Sequence, residues 1–347
     1  MLKLRRGTVV STEPFEVEVD GERRRAWADE SMVGPSEVGD EVIVNTAAID
    51  LSLGSGGFDV VHVNLTRGLG GGETPPGIHV MKLNYSSLQH AVDPAEEGLD
   101  SLPRPARPIP VLVLPLHGHL APAAWAAARA AGDARVGFVQ AGGGGIPGTL
   151  SQDVASLLDG GLLAEHLTAT PSYGGRREAI SLVGALHAAA GDLGWDAVIV
   201  GPGPGILGSE TRYGHGGMAA LDSAHCALAL GLPTLISPRL SAGDARPRHL
   251  GLSHHTASVL ELLLGGVEIP VPAGIASFWP DAAGDPTTVI GTASGGLHRP
   301  SEHQVDLAAY AASGLPTRTM GRELAEDELF FAAPLAAGAA LAARIPT

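Results

Sequence analysis

The chain has 347 residues, room for two domains at roughly 150 residues each. Hydrophobic residues make up 44% and charged residues 17%, a globular composition, while 37 acidic against 22 basic side chains give a net charge of −15 that argues against a nucleic-acid partner. A single cysteine, Cys226, excludes an intrachain disulfide framework and a multi-cysteine zinc site, and with neither a signal-peptide core nor a run of the ~18 apolar residues that span a membrane, a cytoplasmic protein without a membrane partner is expected.

Within an expected first domain of residues 1–75, residues 1 to about 66 alternate apolar and polar at period two, as in GTVVST, FEVEVDGERRRAWA, GDEVIVNTAAIDL and FDVVHVNL, with Asp20-Gly21 as a hairpin turn. About five short antiparallel strands in this length predict a small β-barrel of the SH3 or OB kind. The segment is acidic overall and carries only Phe15, Trp27 and Phe58 as aromatics, so a structural or docking role is expected of it instead of base stacking. Residues 76–108 form a Gly/Pro-rich connector, in which MKLNYSSLQ is apolar enough to pack on the second domain and DSLPRPARPIP marks the boundary.

From residue 109 to 347 buried apolar strands alternate with Ala-rich helices. Strands are expected at 110–116, 135–140, 167–169, 197–200, 233–237, 267–271 and 316–320. Helices are expected in PAAWAAARAAG, SQDVASLLDGG, RREAISLVGALHAAAG, GGMAALDSAHCALALG, HHTASVLELLLGG, EHQVDLAAYAASG and DELFFAAPLAAGAALAA. This pattern predicts a Rossmann-like, doubly wound α/β domain with a mostly parallel sheet of six to seven strands, in which ligands bind beyond the carboxyl ends of the strands.

Polar, glycine-rich and histidine-rich segments follow four of these strands: His117-Gly118-His119, Gly142 to Gly148, Gly201 to Gly216, and Ser241 to Thr256. Gly143-x-Gly145-x-x-Gly148 and Gly203-x-Gly205-x-x-Gly208 both satisfy the dinucleotide fingerprint. With 48 glycines in the chain such matches arise by chance, and neither has the acidic residue that a ribose requires, so a dinucleotide is disfavoured. Gly203 and Gly205 remain either anion-facing turns or simple tight turns.

Ser253 is placed to cap a helix whose first turn holds His254 and His255. Helical spacing turns His255 inward and His254 toward the crevice, where the helix N-terminus favours a neutral imidazole. Arg246, Arg248 and Arg212 form a small basic group in an acidic protein, suited to forked hydrogen bonds with a carboxylate or phosphate. A small anionic metabolite is therefore the expected ligand, contacted by His117, His119, Gly203, Gly205, Arg212, Tyr213, Asp244, Arg246, Arg248 and Ser253, with His215, His249 and His254 in acid–base roles.

A metal-dependent hydrolase is the alternative. It would use a divalent metal on His117, His119, Asp222 and His225, the last two sharing a helix face three residues apart, although no complete ligand motif is present. A non-enzymatic scaffold whose barrel docks a partner or another copy of the chain is the third reading. Nucleophilic catalysis has little support: there is no G-x-S-x-G elbow, and Cys226 lies in an apolar helix.

VGDEVIVNTAAIDLSLGSGG, MKLNYSSLQ, SAGDARPRHLGLSHHT and TMGRELAEDELFF resemble a widespread bacterial family known as a domain of unknown function, over nearly the whole chain. That resemblance implies no activity. A much weaker one joins Ala197 to Pro202 and Arg212-Tyr213-Gly214 to the selenoprotein B type subunits of glycine reductase. Those proteins use a selenocysteine or cysteine redox centre that has no counterpart here, so no redox role is implied.

Overall fold

The structure is a computed structural model and describes residues 2–51, 57–70, 76–99, 105, 107–209 and 211–346. Most of the Pro/Arg stretch expected as a boundary and part of the preceding glycine run lie outside the described residues. The chain divides into two compact units, Met1–Val92 and Asp93–Thr347.

In the first unit, strands β1 (Leu4–Thr12), β2 (Phe15–Val19), β3 (Glu22–Trp27), β4 (Glu41–Asn45) and β5 (Asp59–Asn64) close into a barrel of order β1-β2-β3-β5-β4, with β3 and β5 parallel. Asp20 and Gly21 both take positive φ, 52° and 82°, which the two-residue turn joining β2 to β3 requires. The period-two pattern is explained by the valines it turns inward: Val9, Val17, Val19, Val42, Val44 and Val61 fill the interior. Short helices α1 (Glu30–Val33) and α2 (Ala47–Asp50) lie between strands. The barrel's arginines are engaged with acids: Arg24 reaches Asp59 at 2.5 Å and Asp50 at 2.8 Å, and Arg67 reaches Asp40 at 2.9 Å. A hairpin of β6 (Val80–Lys82) and β7 (His90–Val92) completes this unit. The connector expected at 76–108 is thus split. From Asp93 the chain belongs to the second unit, where Pro94 bridges Glu178, and Glu96 Oε1 accepts the N–H groups of Ile180 and Ser181.

The second unit is built on a parallel sheet of β8 (Val111–Val113), β9 (Val136–Ala141), β10 (His166–Ala169), β11 (Arg177–Ala179), β12 (Ala197–Pro202), β13 (Thr234–Ile236), β16 (Glu268–Pro272) and β17 (Arg299–His303), in the order β11-β10-β9-β12-β8-β13-β16-β17. Two short antiparallel pairs stand outside it, β14 (Leu240–Ser241) with β15 (Gly251–Leu252) and β18 (Arg318–Thr319) with β19 (Arg322–Glu323). The expected strand at 316–320 is this last hairpin and not a member of the main sheet. The eight-strand count exceeds expectation because of two edges. β11 falls inside a segment read as helix, and β17 (RPSEH) is mostly polar and exposed, without the apolar run that marks a buried strand.

Helices α3 (Leu120–Ala131), α4 (Gln152–Asp159) and α10 (Glu328–Ala343) share a core with Leu112, Phe138 and Ile199 of the sheet. Helices α5 (Leu182–Ala190), α6 (Ala219–Ala229), α7 (His254–Leu262) and α8 (Pro286–Ser294) pack on the opposite residues, Val111, Val139 and Val200. A further short helix, α9 (Leu307–Ala311), precedes the β18-β19 hairpin. Among the described residues no helix is long and apolar enough to cross a membrane.

The order of strands locates a crevice. Central β8 sends its chain to α3 on one face, whereas its neighbours β12 and β13 send theirs to α6 and α7 on the other. The connections diverge at the carboxyl ends of these strands, which is where open α/β sheets bind ligands.

Candidate functional site

His117 and His119 sit in a single 3₁₀ turn after β8 and reach to opposite sides of it. His117 Nδ1–H donates to the Pro202 carbonyl at the end of β12 (3.0 Å), and Nε2 accepts from Ser151 Oγ, the N-cap of α4 (2.6 Å). His119, fully buried, pairs through Nδ1 with Ser237 Oγ after β13 (2.9 Å), and its ring stands edge-on to Phe330. Burial lowers the proton affinity of both, His119 to about 3. These are neutral crosslinks between strand ends.

The glycine loops after β9 and β12 lie against one another. Gly145 N–H donates to Pro204 O (2.6 Å), and a Cβ on Gly144 would collide with the carbonyl of Gly203, one on Gly203 with that of Gly145, and one on Gly216 with that of Gly143. Gly203 is therefore demanded by backbone contact, and Gly205 by its φ of +77°. Close backbone approach and positive φ give these glycines the role of tight turns.

A second histidine group stands where α7 begins. Ser253 caps the helix by accepting His255 N–H (3.2 Å), and its Oγ also pairs with His249 Nδ1 (2.7 Å). His255 is buried and His254 half-buried, the orientation that helical spacing implied. His215 arrives from the loop after β12 and stacks on His255 with ring centroids 3.6 Å apart and planes 8° from parallel. His254 lies 4.4 Å from His255 and 5.0 Å from His249, centroid to centroid, so four imidazoles form one cluster. Nε2–H of His215 donates to the Arg212 carbonyl (3.0 Å). This fixes the tautomer and leaves Nδ1 a bare, buried lone pair without a partner; His254 Nε2 is likewise buried and unpartnered.

Arg239, only 5% exposed, backs this cluster. Its Nη1 points at His255 Nδ1 (3.3 Å), its Nη2 at Asp244 Oδ2 (3.3 Å), and its Nε has no partner. Burial pushes Arg239 down to about 10, still charged at neutral pH. Burial also holds the nearby imidazoles neutral, with the Arg239 charge adding to the effect: His249 is pushed down to about 3 and His255 to about 2. Around them runs an ion-pair frame. Asp244 takes Arg246 in a fork (2.8 and 2.7 Å). Asp327 accepts Ser241 Oγ (2.6 Å), the N–H groups of Ala242 and Gly243, and Arg322 Nε (3.0 Å).

Of the residues expected in a site, the fold thus gathers His215, His249, His254, Asp244, Arg246 and Ser253. Arg212 contributes its carbonyl to the cluster while its guanidinium pairs with Glu261 and lies over the Tyr213 ring; both residues are exposed. Arg248 is exposed in the 3₁₀ turn before β15. The metal set of His117, His119, Asp222 and His225 is not brought together: Asp222 is exposed, and His225 Nε2 accepts Leu264 N–H at the end of α7 (3.2 Å). Among the described residues, the His/Cys/Asp/Glu group that does converge is His215, His254 and His255, with ligand atoms all within 4.8 Å of one another. Sequence reasoning passed over Arg239. The signal for Arg239 was a single arginine held in the apolar run TLISPRLS directly after β13.

Residues 25–338, most of the chain, match the family described as a protein of unknown function, DUF3866. The chain belongs to that family. No curated protein and no solved structure matches it, so the likeness of residues 197–202 and 212–214 to glycine reductase subunits is not carried further. For this DUF3866 member, function has to be argued from the geometry of the crevice.

Proposed function

We propose that this DUF3866 protein binds a small anionic metabolite in the crevice between β13 and the start of α7. The observation that carries the reading is Arg239, a buried guanidinium that reaches the imidazole group through Nη1 and keeps its Nε–H without a partner. A buried charged donor left without a partner is costly. Among the described residues its neighbourhood is also one negative charge short: Arg239, Arg246 and Arg322 pair with Asp244 and Asp327. A carboxylate or phosphate would meet both demands. On this reading His249 and His254 border the ligand, and its charge raises their proton affinity toward the neutral range where acid–base work is done.

The test is thermal denaturation of chelator-treated protein with orthophosphate and a set of small di- and tricarboxylates. A ligand at a hundred times its Kd is expected to stabilise by about 2.7 kcal/mol, and Arg246→Ala with His249→Gln is expected to abolish the effect. No saturable stabilisation by any of these anions, or an undiminished response in the double variant, overturns the reading.

A further inference from the structure

We infer that His215, His254 and His255 hold a divalent transition-metal ion of the zinc class, with a fourth position open to an anion. Four observations on this cluster converge. The three side chains come from two separate segments, the loop after β12 and the first turn of α7, yet present ligand atoms within 4.8 Å of one another. A tetrahedral metal at ~2.1 Å from each nitrogen needs them roughly 3.4 Å apart, and binding it turns the stacked rings of His215 and His255 out of parallel so that both lone pairs point at the ion. His215 is 7% exposed and its Nδ1 is an unpartnered lone pair, and His254 Nε2 is buried without a partner as well.

His215 also has the support that metal-bound imidazoles carry. Its other nitrogen donates to a backbone carbonyl, that of Arg212, which Ser258 Oγ of α7 also donates to (3.3 Å). The fourth observation is steric. Gly217 is buried beside the cluster, and a Cβ there would stand 3.0 Å from His215 Nδ1 and 3.4 Å from His255 Nδ1. Glycine keeps the space next to His215 Nδ1 open; His255 Nδ1 already accepts from Arg239 Nη1, so Nε2 is the nitrogen His255 offers a metal.

Three imidazoles leave one position of a zinc-class ion to water or substrate, the arrangement of catalytic rather than structural sites. Arg239 behind His255 sets the sign of that fourth ligand. A dication beside a group already one positive charge in excess selects hydroxide, carboxylate or phosphate over a neutral donor. The inference shares its site with the anion reading and rests on it only for the identity of the fourth ligand, and its own test needs no added anion.

Chelator-treated, tag-free protein is titrated with zinc and with cobalt(II), and bound metal is measured by elemental analysis after dialysis. One zinc per chain and the intense visible absorption of tetrahedral cobalt are expected. His215→Gln and His254→Gln are each expected to weaken zinc by about tenfold to a hundredfold or more, since loss of a supporting partner alone has that effect. His225→Ala, away from the cluster, is expected to leave zinc unchanged. Thermal melts in chelator show whether each variant folds; because His254 is half-buried, its variant reports even if His215→Gln does not fold. Substoichiometric zinc in the wild type, or unchanged affinity in His254→Gln, overturns the inference. Stabilisation by phosphate or carboxylates without zinc uptake removes the metal and keeps the anion reading, whereas zinc uptake without any anion effect does the reverse.

Discussion

Two groups of histidines occupy the same edge of the same sheet and have opposite fates. His117 and His119 are tied to Pro202, Ser151 and Ser237, clamping the ends of β12, α4 and β13 around β8. The group formed by His215, His249, His254 and His255 keeps lone pairs unspent and is framed by charges instead. Unpartnered nitrogens occur in both groups, since His119 Nε2 is buried without a partner as well; what differs is that His215, His254 and His255 bring their ligand atoms within 4.8 Å of one another. A histidine becomes a candidate ligand where the fold brings such nitrogens together.

The sharpest way to test the charged frame is Asp327→Ala, which strips a buried carboxylate from Ser241, two backbone N–H groups and Arg322. A loss of about 3–5 kcal/mol in denaturant unfolding is expected; a change under 1 kcal/mol would show that the frame contributes little. Next in size is the contrast between the two histidine groups themselves. His119→Ala, at a fully buried position, is expected to lose about 2–4 kcal/mol while leaving ligand and metal binding intact. His254→Ala is expected to cost under about 1 kcal/mol and to weaken zinc binding by about tenfold to a hundredfold or more. Equal stability losses in the two variants would erase the distinction.

Acid offers a third comparison. His119 and His166 titrate near 3 and 4 in the fold, both depressed chiefly by burial, against about 6.5 when unfolded. The unfolded chain therefore takes up protons first. Stability from these two groups is complete above about pH 6.5 and falls as pH drops toward 4, by about 1.4 kcal/mol per pH unit for each. Unfolding free energies measured from pH 7 to pH 4.5 check this, and His119→Phe is expected to flatten the slope by one such increment. The smallest effect is Ser253→Ala, which removes the cap of α7 and the hydroxyl beside His249. About 1 kcal/mol of stability is expected to go, with a larger proportional loss in ligand affinity.

Much of this was legible beforehand in the residues. The apolar runs of β8, β9, β12 and β13 announced a parallel sheet because strands covered on both faces are apolar throughout. Ser253 followed by His254 and His255 announced a capped helix and the direction of each ring. The edges of the sheet were not legible: β17 is too polar to carry a strand pattern, and the three residues of β11 are too short to carry one. Nor does sequence spacing say that His117 and His119, two apart, reach to opposite sides of the turn after β8, or that His215 crosses some forty residues of chain to stack on His255. Those facts depend on strand order, and local periodicity holds no record of it.

The interlocked glycines after β9 and β12 have a consequence for change over time. Gly143 to Gly145 and Gly203 to Gly216 approach so closely that a methyl group on Gly144, Gly203 or Gly216 meets the backbone of the other loop. Neither loop can acquire a side chain at these positions unless its partner moves, so the two are free to vary only together. His215, at the end of one of them, inherits that constraint: its place beside α7 is set by a contact some seventy residues earlier in the chain, in a loop that supplies none of the clustered imidazoles.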